Sequence, residues 1–321
     1  MFSELPKIFD RNFVVGFFLP VVVFIAASLG FCYLSGFLSQ LVDVLKKDTL
    51  LGTTIIGLVT WLGAVVLLIV NRDVYIFFEG YQRFNPLRLM GWLEHRRFRN
   101  LQRDIVKVTD QSRPYYSAHL TPPPSIRNRR RDLMSEAAQR FPDEGWVLPT
   151  AFGNTIRAFE VYPRVMYGID DIEGWLRLLA VIPKDYSKLI DDAKAQTDFW
   201  VNLRLLSLLY VLEYIAISIY VQRLRMPWLP LLAICVSAFA AFRARKAVVE
   251  WGVLVKASYD VFLPSLLKKL QFPQPRSGEH ERRLWREFSE AIIYRKAEWM
   301  PKRTTQDETV PNVGDVEQMD E

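Results

Sequence analysis

Charge disappears from long stretches of this chain. No charged residue occurs from Asn12 to Val42 or from Thr49 to Asn71, and two shorter apolar runs follow at Leu205–Gln222 and Met226–Phe242. A helix rises ~1.5 Å per residue and the hydrocarbon core of a bilayer is ~30 Å thick, so about 20 apolar residues cross it. The first candidate, Phe13 to about Leu34, and the second, Leu50–Val70, meet that length. The apolar core of a secretory signal peptide has only ~7–15 residues, which the first run exceeds. The third candidate, Leu205–Val221, carries Glu213 near its centre. Its Leu, Ile and Val residues contribute roughly −0.3 to −0.6 kcal/mol each, against about +3 kcal/mol for a central acidic group, which leaves insertion narrowly favourable. The fourth, about Pro227–Phe242, is short. Pro227 and Pro230 suit a helix start, and Arg243 and Arg245 can snorkel to the interface at its end. Only Arg223, Leu224, Arg225 and Met226 separate Gln222 from Pro227, which predicts a tight helical hairpin. The pattern predicts four spans.

Four spans place both termini and residues 71–199 on one side. Within about 18 residues of the spans, that side carries Lys7, Arg11, Arg72, Arg83, Arg88, Lys184, Lys188, Lys194, Arg243, Arg245, Lys246 and Lys256. The opposite side carries Lys46, Lys47, Arg223 and Arg225. The positive-inside rule makes the basic side, with both termini, cytoplasmic.

Outside the bilayer the apolar period becomes helical. Leu87, Met90, Leu93, Leu101, Ile105 and Val108 predict a helix over about 87–109, interleaved with His95, Arg96, Arg97, Arg99 and Arg103. Such a helix either presses on anionic lipid or packs on its own domain. Pro122–Pro124 and the basic run Arg127, Arg129, Arg130 and Arg131 read as an extended linker with a lipid-facing charge patch. Thr150 is placed to cap a helix that buries Phe152, Ile156 and Phe159 and turns Asn154, Arg157 and Glu160 to another face. Arg157 and Glu160 are in reach of an ion pair. Pro163 stops that helix, Gly168 turns the chain, and Asp170 or Asp171 caps a helix through Trp175, Leu176 and Leu179 that Pro183 ends. Asp185 can cap the helix toward the third span. Past the fourth span, Val248, Trp251, Val255, Tyr259, Phe262, Leu266 and Leu270 carry helical spacing onward, with a kink expected before Pro264. Glu279–Trp299 reads as one more amphipathic helix, and the acidic tail beyond Arg303 as disordered.

Three blocks of residues in this order, Asn71…Glu79-Gly80-Tyr81, Leu148-Pro-Thr…Gly153-Asn154…Arg157-Ala158…Glu160…Tyr162-Pro163…Tyr167-Gly168-Ile169-Asp170…Trp175…Arg177-Leu178, and Glu281-Arg…Leu284-Trp285…Phe288-Ser289, resemble those of an uncharacterised family of bacterial multi-pass, four-span membrane proteins. The resemblance covers most of the chain. It implies the same architecture and a bacterial inner-membrane location, and it brings no reaction or substrate.

Composition narrows the chemistry. Half of the 321 residues are hydrophobic and 24% are charged, a balance that excludes both an ordinary soluble globule and a disordered chain. The net charge of +6 suits a surface beside anionic lipid. The 41 basic residues are nearly matched by 35 acidic ones and no recognition motif is present, so nucleic acid is not an expected partner. Cys32 and Cys235 both fall inside expected spans and read as small apolar residues. His95, His119 and His280 are far apart, and no phosphate-binding glycine loop or nucleophile elbow occurs, so neither metal, cofactor nor enzymatic activity is expected.

The strongest functional pointer is Glu213, because an ionisable group inside a span is expensive and usually meets a partner, a cavity or a pathway. Leu206, Tyr210, Glu213, Tyr214 and Ile217 share a helical face, which flanks the carboxylate with two tyrosines. Glu213 either lines a proton or cation path or joins helices as a neutral, hydrogen-bonded acid. Small residues form stripes at Thr53, Gly57, Thr60 and Ala64 and at Ala233, Ser237, Ala240 and Ala244, permitting close helix contact within one chain or in a homo-oligomer. The expected fold is all-α: a four-helix transmembrane bundle (1–70 and 200–243) with a helical cytoplasmic insertion (71–199), helical C-terminal extension (244–303) and tail (304–321). The expected function is a membrane-anchored scaffold or sensor whose cytoplasmic helices bind a protein partner or anionic lipid. The alternatives are an oligomeric channel or transporter lined by Glu213 and, behind it, a membrane-embedded enzyme. The cytoplasmic candidates are Asn154, Arg157, Glu160, Tyr167 and Asp170.

Overall fold

The computed structural model describes residues 10–37, 49–223 and 225–302. Lys7, Lys46, Lys47 and the expected disorder of the acidic tail lie outside the described residues. Among those described, every regular element is helical. The helices are α1 (Arg11–Ser35), α2 (Thr49–Glu79), α3 (Gly91–Ser117), α4 (Pro124–Arg140), α5 (Ala151–Glu160), α6 (Tyr162–Tyr167), α7 (Asp171–Leu178), α8 (Lys184–Val221), α9 (Trp228–Lys269) and α10 (Gly278–Ile293). Helices α1, α2 and α8 are long and apolar enough to cross a membrane. The fourth expected span is not among these three. Its apolar run is the first part of the 42-residue α9 and stops at Arg243.

The chain groups into two compact units that do not follow its linear order. The first holds the described residues up to Phe159 together with Lys188–Leu254; the second holds Glu160–Ser187 and the described residues from Val255 onward.

In the first unit, Phe13, Phe17 and Val21 of α1 pack with Ala64 and Leu67 of α2 and Leu206 of α8. Further along, Phe31 meets Tyr210, Tyr214 and Ile217 of α8 and Ala233 of α9. The small-residue stripe of α9, Ala233, Ser237, Ala240 and Ala244, is buried within the chain. In the α2 stripe, Thr60 and Ala64 are buried, while Thr53 and Gly57 stay exposed. Leu58, Leu62, Val66 and Ile69 of α2 are also exposed, as a lipid-facing surface requires. The hairpin between α8 and α9 is tight: Gln222 and Met226 take positive φ (53° and 55°), and the Tyr214 hydroxyl donates to the Arg225 carbonyl at 3.0 Å.

In the second unit, Leu284, Trp285 and Phe288 of α10 are buried, with Phe272 stacked edge-on against both aromatic rings. Helix α10 also packs on α6 and α7. Gly168 (φ 81°) lies so close to the Arg282 carbonyl that a Cβ there would collide with it.

Several expectations need correction. The helix expected over 87–109 starts at Gly91, after a short turn at Pro86–Met90, and runs to Ser117 with Pro114 inside its last turn. The basic stretch from Arg127 to Arg131 is helix, not extended linker, because Pro124 occupies a first-turn position where its missing N–H costs nothing. Pro163 likewise opens α6 after α5 has ended at Glu160. Asp185 lies inside the first turn of α8 rather than at its cap. The helix expected to reach Trp299 ends at Ile293, where Arg295 turns to φ 56° and Lys296 N–H closes back on the Ala291 carbonyl.

Candidate functional site

The first polar site is built on the C-terminal end of α2. The last carbonyls of a helix have no partner within it and must find one elsewhere. Here the Thr150 hydroxyl donates to the carbonyls of Phe78 (2.8 Å) and Glu79 (3.2 Å), and Asn85 Nδ2 donates to that of Phe77 (2.5 Å). Gly80, at φ 89°, makes the left-handed turn, with Gly80 and Tyr81 N–H groups both returning to the Ile76 carbonyl. The same Thr150 oxygen accepts from Gly153 N–H at 3.0 Å, capping α5 as its sequence position predicts. One hydroxyl therefore ends α2 and begins α5.

Asn154 is fully buried beside it. Its Oδ1 accepts from Leu148 N–H (2.6 Å), and its Nδ2 donates to the Leu148 carbonyl (3.0 Å) and to Glu94 Oε2 (3.4 Å). Gly153 is required for this approach, since a Cβ there would stand 2.8 Å from the Glu79 carbonyl oxygen. Glu94 is buried too, and Arg97 donates to it at 2.5 Å. Arg157 bonds the Tyr81 hydroxyl, its guanidinium lying 5.4 Å from the ring centroids of both Tyr81 and Trp146. The Leu148–Arg157 block thus meets the Glu79-Gly80-Tyr81 block.

The five candidates expected to be cytoplasmic are divided between the two units. Asn154 and Arg157 belong to the first unit; Glu160, Tyr167 and Asp170 belong to the second. There the Tyr162 and Tyr167 hydroxyls both donate to Asp260 Oδ1, at 2.8 and 2.7 Å, and Asp170 N–H donates to Ser289 Oγ at 2.9 Å. Loss of hydration on burial, and then the bond to Asp260, push the Tyr162 phenol up to about 12. Tyr167 is raised further by the same two causes.

In α8, the Ser28 hydroxyl of α1 donates to Glu213 Oε2 at 2.6 Å. Of the two tyrosines on that face, Tyr214 spends its hydroxyl on Arg225, and Tyr210 packs edge-on against Phe31. The chain thus supplies Glu213 with a partner that the pattern of α8 alone could not reveal.

A third polar cluster was not legible in the sequence. Asp198 of α8 is buried and accepts from Tyr75 (2.7 Å), Asn71 (3.2 Å) and Lys194 (2.8 Å). One helical turn on, Asn202 donates to the Gly16 carbonyl of α1. Lys194 and Asp198 are four apart, a spacing that usually marks a surface pair. Asn71 and Tyr75, also four apart, turn it into a buried junction.

Of the basic candidates, Arg96, Arg97, Arg99, Arg129 and Arg131 are exposed; Arg97 is engaged by Glu94, Arg131 by Asp132 at 3.4 Å, and Arg130 donates to the Tyr116 hydroxyl at 3.3 Å. Between α3, α4 and α9 lies a charged cleft of about 490 Å³, with Arg97, Arg140, Arg245 and Lys246 in its wall. Comparison of the chain with protein-family models, with curated proteins and with solved structures finds no match.

Proposed function

We propose that this chain is a four-span protein of a bacterial inner membrane, with both termini and the 71–199 region cytoplasmic, that acts as a membrane-anchored scaffold or sensor. Its cytoplasmic helices bind a protein partner or anionic lipid. The observation that carries this reading is the Thr150 hydroxyl on the terminal carbonyls of α2. Through it, a helix long and apolar enough to cross the bilayer shares its end with the start of α5, so displacement of one is transmitted to the other. The resemblance of the Asn71–Tyr81, Leu148–Asp170 and Glu281–Ser289 blocks to four-span bacterial proteins agrees with it, and no catalytic role is proposed.

The second reading, an oligomeric pore, rests on the half-buried Glu213 within α8. Ion flux in proteoliposomes separates the two, comparing wild type with Glu213→Ala at equal incorporation. The scaffold reading expects no flux from either protein under any gradient. Conductance that Glu213→Ala abolishes would overturn it in favour of the pore.

A further inference from the structure

The cleft between α3, α4 and α9 has a charge balance that decides what it can take. Glu94 is engaged by Arg97 and by Asn154, and Glu136 by Arg140 at 2.6 Å. Asp104, also in the wall, pairs with Lys107 at 3.7 Å. Among the described residues, Arg245 and Lys246 form no ion pair; Lys246 only lies over the Phe242 ring, at 4.6 Å. The carboxylates are thus already compensated, and the charge left over is positive and comes from α9. Burial first, and neighbouring cations after it, make this unfavourable without a ligand. Desolvation and then Arg140 lower the Arg245 guanidinium from its ordinary range, with Glu94 opposing and Arg97 adding.

Position supplies the second half of the argument. Phe242, in the cleft wall, is the last residue of the apolar run of α9, and Arg245 and Lys246 follow within the next turn, after Arg243 and Ala244. On the four-span reading, which this inference rests on, the cleft opens where α9 leaves the bilayer, at head-group depth. A guanidinium offers a planar fork of donors matched to phosphate oxygens, and an ammonium adds a mobile point charge. A cavity of about 490 Å³ is within the ordinary range for small-molecule sites, roughly 300–1,000 Å³. We infer that this cleft is a phosphate site, with Arg245 and Lys246 as its principal cationic ligands, filled by the head group of an anionic phospholipid.

The test uses the full chain. Wild type, Arg245→Gln/Lys246→Gln and Arg283→Gln/Arg286→Gln are purified from nanodiscs containing phosphatidylglycerol and phosphatidylcholine, and retained lipid is counted by native mass spectrometry. The expected result is retention of phosphatidylglycerol over phosphatidylcholine, reduced on the order of tenfold or more in the cleft variant. The Arg283/Arg286 variant, at two exposed positions given no lipid role, should retain as much as wild type, and Arg245→Lys should restore part of the loss. Thermal unfolding of each variant shows that the fold persists. If the cleft variant retains phosphatidylglycerol like wild type, the inference is overturned, yet the lipid-binding form of the scaffold reading stands. If inorganic phosphate binds lipid-free protein with the same variant dependence and no lipid is retained, the lipid source is overturned. If neither binds, the phosphate site is overturned, and the scaffold reading is left with a protein partner.

Discussion

Asn202 donates through Nδ2 to the Gly16 carbonyl at 2.9 Å, the carbonyl that Pro20 cannot serve. In an α-helix the N–H of residue 20 would bond the carbonyl of residue 16, and proline has none. The chain widens here: Leu19 N–H reaches back five residues to the Val14 carbonyl. A carbonyl exposed in this way inside an apolar core is costly, and fully buried Asn202 satisfies it from the neighbouring helix. Asn202→Leu should therefore lower stability by about 1–3 kcal/mol. Pro20→Ala, which supplies the missing N–H, should recover part of that loss in the double variant. Thermal unfolding in detergent reads both. Strict additivity of the two substitutions would remove the link between Pro20 and Asn202.

Thr150 is predicted to act through its hydroxyl alone. Thr150→Val keeps the shape but loses the bonds to Phe78, Glu79 and Gly153, and should cost about 1–2 kcal/mol. Thr150→Ser should stay close to wild type. Hydrogen exchange gives the local readout: faster exchange is expected around Gly153 and at the C-terminal turn of α2. Unchanged protection in Thr150→Val would mean that the hydroxyl does not join the two helices.

Gly153 sets two effects against each other. In an exposed helix interior, glycine to alanine gains roughly 1 kcal/mol from propensity. Here the added Cβ would stand 2.8 Å from the Glu79 carbonyl oxygen and 3.1 Å from Leu148 Cδ1. Backbone must move to admit it, so the clash wins. Gly153→Ala should be destabilising, while the same change at Gly57, where a Cβ meets nothing within 4 Å, should be neutral or stabilising. A higher unfolding midpoint for Gly153→Ala would refute the close packing of α5 on the end of α2.

These junctions show how far the sequence reaches. Apolar runs expose α1, α2 and α8, because crossing a bilayer is a matter of length and composition along a single segment. Thr150 is legible as a helix cap for the same local reason. Its bonds to Phe78 and Glu79 are not, since those acceptors lie 72 and 71 positions earlier and nothing periodic connects them. The helical start at Pro124 is hidden by a proline triplet that suits both extended chain and a helix N-terminus. Asp198 reads as half of a surface pair until Asn71 and Tyr75 arrive from α2. Burial of a polar residue is a property of the helix packed against it.

Alkaline pH should loosen the second unit through Tyr162 and Tyr167. Their phenols are raised above the ordinary value of about 10, Tyr162 to about 12 and Tyr167 in the same direction, so the folded state favours their neutral forms. The stability they contribute is fully present below the unfolded value of about 10 and is lost as pH rises through the folded values. Tyrosinate absorbance should place Tyr162 and Tyr167 in the late-titrating phase of wild type. Asp260→Asn should bring both part of the way back, since burial, the larger cause, remains. Tyr162→Phe/Tyr167→Phe should shrink the late phase by two residues; a late phase of unchanged amplitude there discards this assignment.

Ser28 and Glu213 decide whether the intramembrane carboxylate is an anchor or part of a path. A 2.6 Å bond between α1 and α8 should appear as coupling in a double-mutant cycle of Ser28→Ala and Glu213→Ala. Interhelical hydrogen bonds in membranes average about 0.6 kcal/mol and reach about 1.7 kcal/mol, because the unfolded chain in lipid also finds partners. Coupling in that range with no change in ion flux fits a glutamic acid that holds two helices together. An uncoupled pair would mean that Glu213 does not depend on Ser28, and the carboxylate would then be free to face a path. Steric trapping or reversible unfolding in mixed micelles measures the cycle, and the same four proteins serve the flux assay, so one set of variants addresses both roles of Glu213.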